Sequence, residues 1–189
     1  VCTPYDGELI ITNTVDGNAK DDNKEFEYVV TFNGEGEGGD KDYTYTYTKQ
    51  GGGTETKTIK SGRTIKLKGG ETATFKDRMT GSKGYTVTQT DYSEDGYTTN
   101  PTNFVKTGNF SVNGITKADF VNTRNIGSLL IKNTVGGNAG DLNKEFEYIV
   151  TFTGNAEGED KVYTYKKQDN STGTLKSGQV LKLKHNETA

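Results

Sequence analysis

The side chains whose spacing bears on chemistry are three carboxamides, Asn13, Gln89 and Asn122. Asn13 shares parity with Leu9, Ile11 and Val15; Gln89 with Tyr85 and Val87; Asn122 with Phe120. Residues two apart in a strand face the same side, so each amide is aimed at an apolar interior. A buried carboxamide without partners costs about 1–3 kcal/mol. Three that meet satisfy one another; the alternative is that they are polar strand ends on a rim. A carboxamide is neither an amine nucleophile nor a general acid or base at ordinary pH. Convergence of the three would therefore make a polar network, with no proton transfer.

The elements that must carry them follow from a long repeat. Residues 7–45 recur at 127–165, with 27 of 39 aligned pairs identical. Lys60-Ser61-Gly62 through Glu71-Thr72-Ala73 recurs as Lys176-Ser177-Gly178 through Glu187-Thr188-Ala189, at an offset four residues smaller. Such a period is a whole domain, longer than a solenoid unit of about 20–50 residues. The expected division is 1–6 as a linker or the end of a preceding module, 7–124 as a complete module, 125–126 as a linker, and 127–189 as a second module. Aligned on the first copy, the second stops about 50 residues short. It is expected to be a fragment of an array or to be completed in trans by strand addition.

Glu25 to Phe32 alternates with Phe26, Tyr28, Val30 and Phe32 on one face. Tyr43, Tyr45 and Tyr47 alternate with threonines, and further short β-branched runs cover 64–68, 72–75, 85–90, 104–112 and 118–123. Glycine, asparagine and aspartate separate them, and no segment has a helical period. The pattern predicts an all-β, antiparallel immunoglobulin-like sandwich. Hydrophobic content of 29% makes the core thin. The single Cys2 excludes an intramolecular disulfide, and a net charge of −3 with interspersed signs argues against nucleic acid as a partner. No run is long and apolar enough for a membrane span, so no membrane contact is expected of this segment.

Ile11-Thr12-Asn13-Thr14-Val15, Tyr85 through Asp91-Tyr92, Gly96-Tyr97 and Phe120-Val121-Asn122-Thr123 resemble the CnaB-type, pilin-like isopeptide domains of Gram-positive surface proteins. In that family a first-strand lysine attacks the side-chain carbonyl of a last-strand asparagine or aspartate, and a buried glutamate shuttles the protons. The resemblance puts Asn122 at the acceptor position, Asn13 where the lysine belongs and Gln89 where the glutamate belongs. Asn133 repeats the lysine departure in the second copy. Losing lysine or glutamate alone would break a buried pair at about 3–5 kcal/mol; amides at both positions remove the charges together. The expectation is the isopeptide-domain fold without the bond, with no enzyme activity and no catalytic residue. The competing expectation is a shifted register with Lys132 as nucleophile, although parity points Lys132 outward.

Other signals are weaker. Asp16, Asn18, Asp21, Asp22 and Asn23 supply oxygen ligands of the kind calcium takes, but the second copy has Gly136 and Leu142 at two of these positions, as in a solvated turn. No metal or cofactor is expected. The Thr44–Thr48 run could present a flat face for carbohydrate or ice, yet strand propensity and tyrosine packing account for it. His185 has no catalytic or zinc constellation and reads as a surface residue. Two functions result: a spacer in the stalk of an extracellular, wall-attached or secreted surface protein, with neighbouring modules as partners, or an adhesin module that binds a host glycan or matrix protein through Tyr92 and Tyr97.

Overall fold

The computed structural model describes residues 7–34, 40–77, 83–153 and 161–189. The expected linker at 1–6 with Cys2, and most of the glycine-rich loop after Asn33, lie outside them. The chain divides into two compact units, Val1–Ile126 and Gly127–Ala189.

The first unit carries β1 (Gly7–Asp16), β2 (Phe26–Asn33), β3 (Asp42–Thr48), β4 (Thr54–Lys60), β5 (Arg63–Leu67), β6 (Thr72–Asp77), β7 (Gly84–Gln89), β8 (Tyr97–Asn100), β9 (Val105–Asn109) and β10 (Ile115–Arg124). A six-stranded sheet runs β4-β3-β6-β1-β10-β8 and a four-stranded sheet β5-β2-β7-β9. The apolar parity of β2 buries Phe26, Tyr28, Val30 and Phe32 against Leu9 and Ile11 of β1, Phe75 of β6 and Phe120 of β10. Ring contacts cross between the sheets, with Tyr28–Phe120 centroids 5.0 Å apart and Phe32 stacked on Tyr43 at 4.1 Å. The all-β sandwich is as the alternation predicts. Its antiparallel pattern has one exception, β1 beside β10, which run parallel with Val15 opposite Asn122. First and last strand thus lie side by side within the larger sheet, paired from Glu8–Ile115 to Asp16–Thr123.

The second unit has β11 (Phe146–Val150), β12 (Val162–Lys166), β13 (Thr172–Lys176) and β14 (Gln179–Leu183), paired β11-β14 and β12-β13. Its smaller core centres on Val150, Leu175, Leu181 and Leu183. Residues 127–135, the counterpart of β1, make one bridge, Lys132 to Thr188. Leu129 is 61% exposed where Leu9 is fully buried.

The four-residue difference between the copies shortens a hairpin stem and leaves its tip intact. In β3–β4 the rungs run from Asp42–Lys60 to Thr48–Thr54; in β12–β13 they run from Val162–Lys176 to Lys166–Thr172. The second hairpin therefore lacks the counterparts of Tyr47–Glu55 and Thr48–Thr54. Both turns close alike, Lys49 N–H donating to Gly53 O at 2.7 Å and Lys167 N–H to Ser171 O at 2.8 Å. Removing two rungs returns every remaining side chain to its original face, because the strand period is two.

Candidate functional site

Strands β1, β7 and β10 bring Asn13, Gln89 and Asn122 together in the interior, each at most 2% exposed. Register does the positioning: Gln89 lies opposite Tyr28, and Asn122 lies between Val15 on β1 and Thr99 on β8. Asn122 Nδ2 donates to Asn13 Oδ1 at 2.9 Å and to Gln89 Oε1 at 3.1 Å. Gln89 Nε2 donates back to Asn122 Oδ1 at 2.7 Å, closing a cyclic amide pair, and to Thr99 Oγ1 at 3.1 Å. The Thr99 hydroxyl donates to Asn122 Oδ1 at 2.7 Å, and Asn13 Nδ2 to Leu67 O at 3.0 Å. Both amide hydrogens of Asn122 and both of Gln89 are thus committed, which is the condition for a buried polar network to be stable.

The network carries no charge. The other buried polar side chains among the described residues are Glu71, Thr99 and Asn133, so no lysine enters this interior. Glu71 points its carboxylate at the Lys68 amide, 2.7 Å away, and closes a turn. The Tyr28 hydroxyl sits beside Asn122 but makes no hydrogen bond, since the Asn122 amide is already spent on Asn13 and Gln89. Burial pushes the Tyr28 ionisation far above the usual tyrosine range. Among the described residues the groups bonded around the Asn122 carbonyl are amides and the Thr99 hydroxyl, and an amide nitrogen is neither a nucleophile nor a base at ordinary pH.

In the second unit Asn133 is buried and donates to Leu183 O at 3.1 Å, matching Asn13 on Leu67 O. Lys132 is exposed, on the face its parity predicts.

Tyr92 and Tyr97 are placed otherwise than a ligand loop requires. Tyr97 is buried, edge-on to Phe26 at 5.2 Å, and Tyr92 meets the same ring at 4.9 Å. The Tyr92 hydroxyl accepts the Glu27 N–H at 3.0 Å. Lys24 lies 4.6 Å over the Tyr92 ring and pairs with Asp95 at 2.8 Å. β8 turns Tyr97 inward on the same parity as Thr99, and Tyr92 is half-buried against the same core.

Two aspartates of the acidic turn bind its own backbone, and Asp22 pairs with Lys20 at 3.0 Å. Asp16 Oδ1 accepts the Gly17 amide at 2.7 Å and Asp21 Oδ1 the Asn23 amide at 2.9 Å. His185 is half-buried, its Nδ1 accepting the Val135 N–H at 2.9 Å. Sequence reasoning missed Thr99 and Glu71, and placed Tyr28 only as a core residue of β2. No helix of the described residues is long and apolar enough to cross a membrane.

A family model described as a domain of unknown function (DUF7601) matches residues 7–124 and again 127–189. No curated protein matches the chain. Among solved structures, the major pilin of Streptococcus pyogenes is similar at 22% identity and a TM-score of 0.53, over 65% of this chain and 49% of the pilin. A pilus-presented adhesin is similar at 23% identity and a TM-score of 0.50, over 66% of this chain and 28% of the adhesin. The chain thus spans about half the length of the pilin it matches. At these identities the likeness shows the pilin-type domain fold.

Proposed function

The chain belongs to the family described as a domain of unknown function (DUF7601), and on that premise we propose that it is a spacer in the stalk of a bacterial adhesin or pilus-like surface protein. In this reading the interior has the isopeptide-domain layout, with the cross-linking residues replaced by amides. The observation that carries it is the closed set Asn13–Asn122–Gln89–Thr99, in which the acceptor asparagine is kept while the nucleophile and proton-carrier positions hold amides. The protein is not an enzyme, works outside the cell attached to the wall or secreted, and has neighbouring modules of its own chain as partners. The fold likeness to a pilin and a pilus-presented adhesin supports that setting.

Mass spectrometry of the intact chain tests the reading. The unaltered protein should have the mass of its sequence. The double substitution Asn13→Lys with Gln89→Glu should restore the reaction: lysine Nζ bonds to Asn122 Cγ, Nδ2 leaves as ammonia, and the glutamate carries the proton. The mass then falls by one ammonia. Ammonia loss from the unaltered chain would sink the inert reading. A double variant that folds and keeps its full mass would show that these are not the cross-linking positions. A spacer also gives no saturable binding to host glycans or matrix proteins.

A further inference from the structure

The Gly17-Asn18-Ala19 turn grips the segment by which the chain leaves the first unit. Asn18 Nδ2 donates to Ile126 O at 2.9 Å, and Ile126 N–H donates to Asn18 Oδ1 at 2.8 Å. One carboxamide thereby pairs both main-chain groups of one residue, as a neighbouring strand residue does in an antiparallel hydrogen-bonded pair. The Asn18 N–H donates to Asn125 Oδ1 at 3.0 Å, and the Ala19 N–H to Arg124 O at 3.0 Å. Three consecutive residues, 124 to 126, are held by two. Gly17 has φ +98°, and a Cβ there would lie 2.1 Å from Arg124 O, so the approach needs glycine.

We propose that this turn is an exit clamp, a binding site for extended main chain that extends the rigid body of the module through Ile126. A two-residue linker free of the module would swivel at Arg124; clamped, its first free rotation comes after Ile126. The same turn forms in both copies. Gly137-Asn138-Ala139 repeats it: Gly137 has φ +88°, Gly140 N–H donates to Gly137 O at 3.3 Å as Lys20 does to Gly17, and Asn143 N–H donates to Asp141 Oδ1 at 2.9 Å as Asn23 does to Asp21. This inference is independent of whether the amide interior is inert.

The test uses the full chain with Asn18→Ala, Asn18→Asp and, as control, Asn138→Ala. Amide exchange is followed at Ile126 and at a core position, Ile11, and trypsin cleavage is followed after Arg124. Asn18→Ala should speed Ile126 exchange about tenfold, the effect of one lost hydrogen bond, and hasten cleavage after Arg124, with Ile11 unchanged. Asn18→Asp keeps the acceptor for Ile126 N–H and should fall between. Asn138→Ala should alter neither readout. Unchanged Ile126 exchange in both Asn18 variants, or an equal change in Asn138→Ala, would overturn the clamp. If Asn18→Ala also loosens Ile11, Asn18→Asp decides: protection at Ile126 falling with Ile11 intact supports the clamp, and the two falling together overturns it.

Discussion

The Tyr148 hydroxyl donates to Asn133 Oδ1 at 2.7 Å. Its counterpart Tyr28 makes no such bond; the matching oxygen of Asn13 accepts Asn122 Nδ2 at 2.9 Å instead. The first-strand amide is thus satisfied in both units, by the last strand in one and by a tyrosine in the other. Tyr148→Phe should orphan Asn133 Oδ1 and destabilise the second unit by about 1–3 kcal/mol, while Tyr28→Phe should cost little. Amide exchange of the β11 and β2 strands checks this. Equal effects of the two substitutions would contradict the substitution of one donor for the other.

The amide pair itself should behave as a coupled unit. Gln89→Leu leaves one Asn122 hydrogen unpaired, whereas Asn122→Leu leaves the Gln89 oxygen, the Thr99 hydroxyl hydrogen and the Asn13 oxygen without their partner, Gln89 Nε2 keeping only Thr99. The second change should be the more costly, at about 1–3 kcal/mol for each orphaned group. Leucine at both positions should cost less than the sum of the singles, with a coupling of about 0.5–3 kcal/mol. Denaturant unfolding of the four proteins measures it, and strict additivity would show that the two side chains do not depend on each other.

Local alternation made much of this site legible. Asn13, Gln89 and Asn122 each follow apolar residues at period two, and burial follows parity. Thr99 was hidden because β8 is four residues long, too short to alternate convincingly, in a stretch that reads as loop. The parallel pairing of β1 with β10 has no local signature, since its partners are about a hundred residues apart in sequence. Asn18 reads as an ordinary turn residue for the same reason: its partners, Asn125 and Ile126, are 107 and 108 positions away. His185 shows a paired exchange. At the matching Gly69 a Cβ would lie 2.9 Å from Asp22 Oδ1, and where the second copy has His185 it also has Leu142 in place of Asp22. Neither position is informative alone.

The β12–β13 turn should respond to acid. Asp169 Oδ1 accepts both the hydroxyl and the amide of Ser171, at 2.5 and 2.9 Å, and these bonds hold its carboxyl below the ordinary aspartate value. A folded-state pKa that is lowered stabilises the fold above the unfolded value, about 3.9 for aspartate. That contribution should be complete at neutral pH and be lost as pH falls through the lowered value. Ser171→Ala should move the Asp169 titration up toward the ordinary value, as followed by carboxyl NMR shifts. An unmoved midpoint would exclude Ser171 as the cause.

The two hairpins set a length rule that can be tested in the first unit. Deleting Tyr47, Thr48, Thr54 and Glu55 removes two rungs and reproduces the shorter stem of β12–β13. Antiparallel rungs alternate between hydrogen-bonded and open types, so removing two presents the turn with the rung type it has now. The Lys49–Gly53 closure can then reform, as Lys167–Ser171 does. The losses are the half-buried Tyr47, with Lys57 3.9 Å over its ring, the ion pair of Lys49 with Glu55, and the pairing of Tyr47 and Thr48 with Ala73 and Thr72 of β6. The Tyr47 packing and the β6 pairing carry most of the cost, since the exposed ion pair contributes little. Deleting Thr48 and Thr54 alone removes fewer contacts but joins the turn to a rung of the other type, where the Lys49 N–H points away from Gly53. The smaller deletion should therefore be the more damaging, with a lower Tm and faster amide exchange at Tyr45 and Lys57. A smaller deletion that is as stable as the larger would mean that the turn adapts to either rung, and that the even number missing from the second copy has no structural cause.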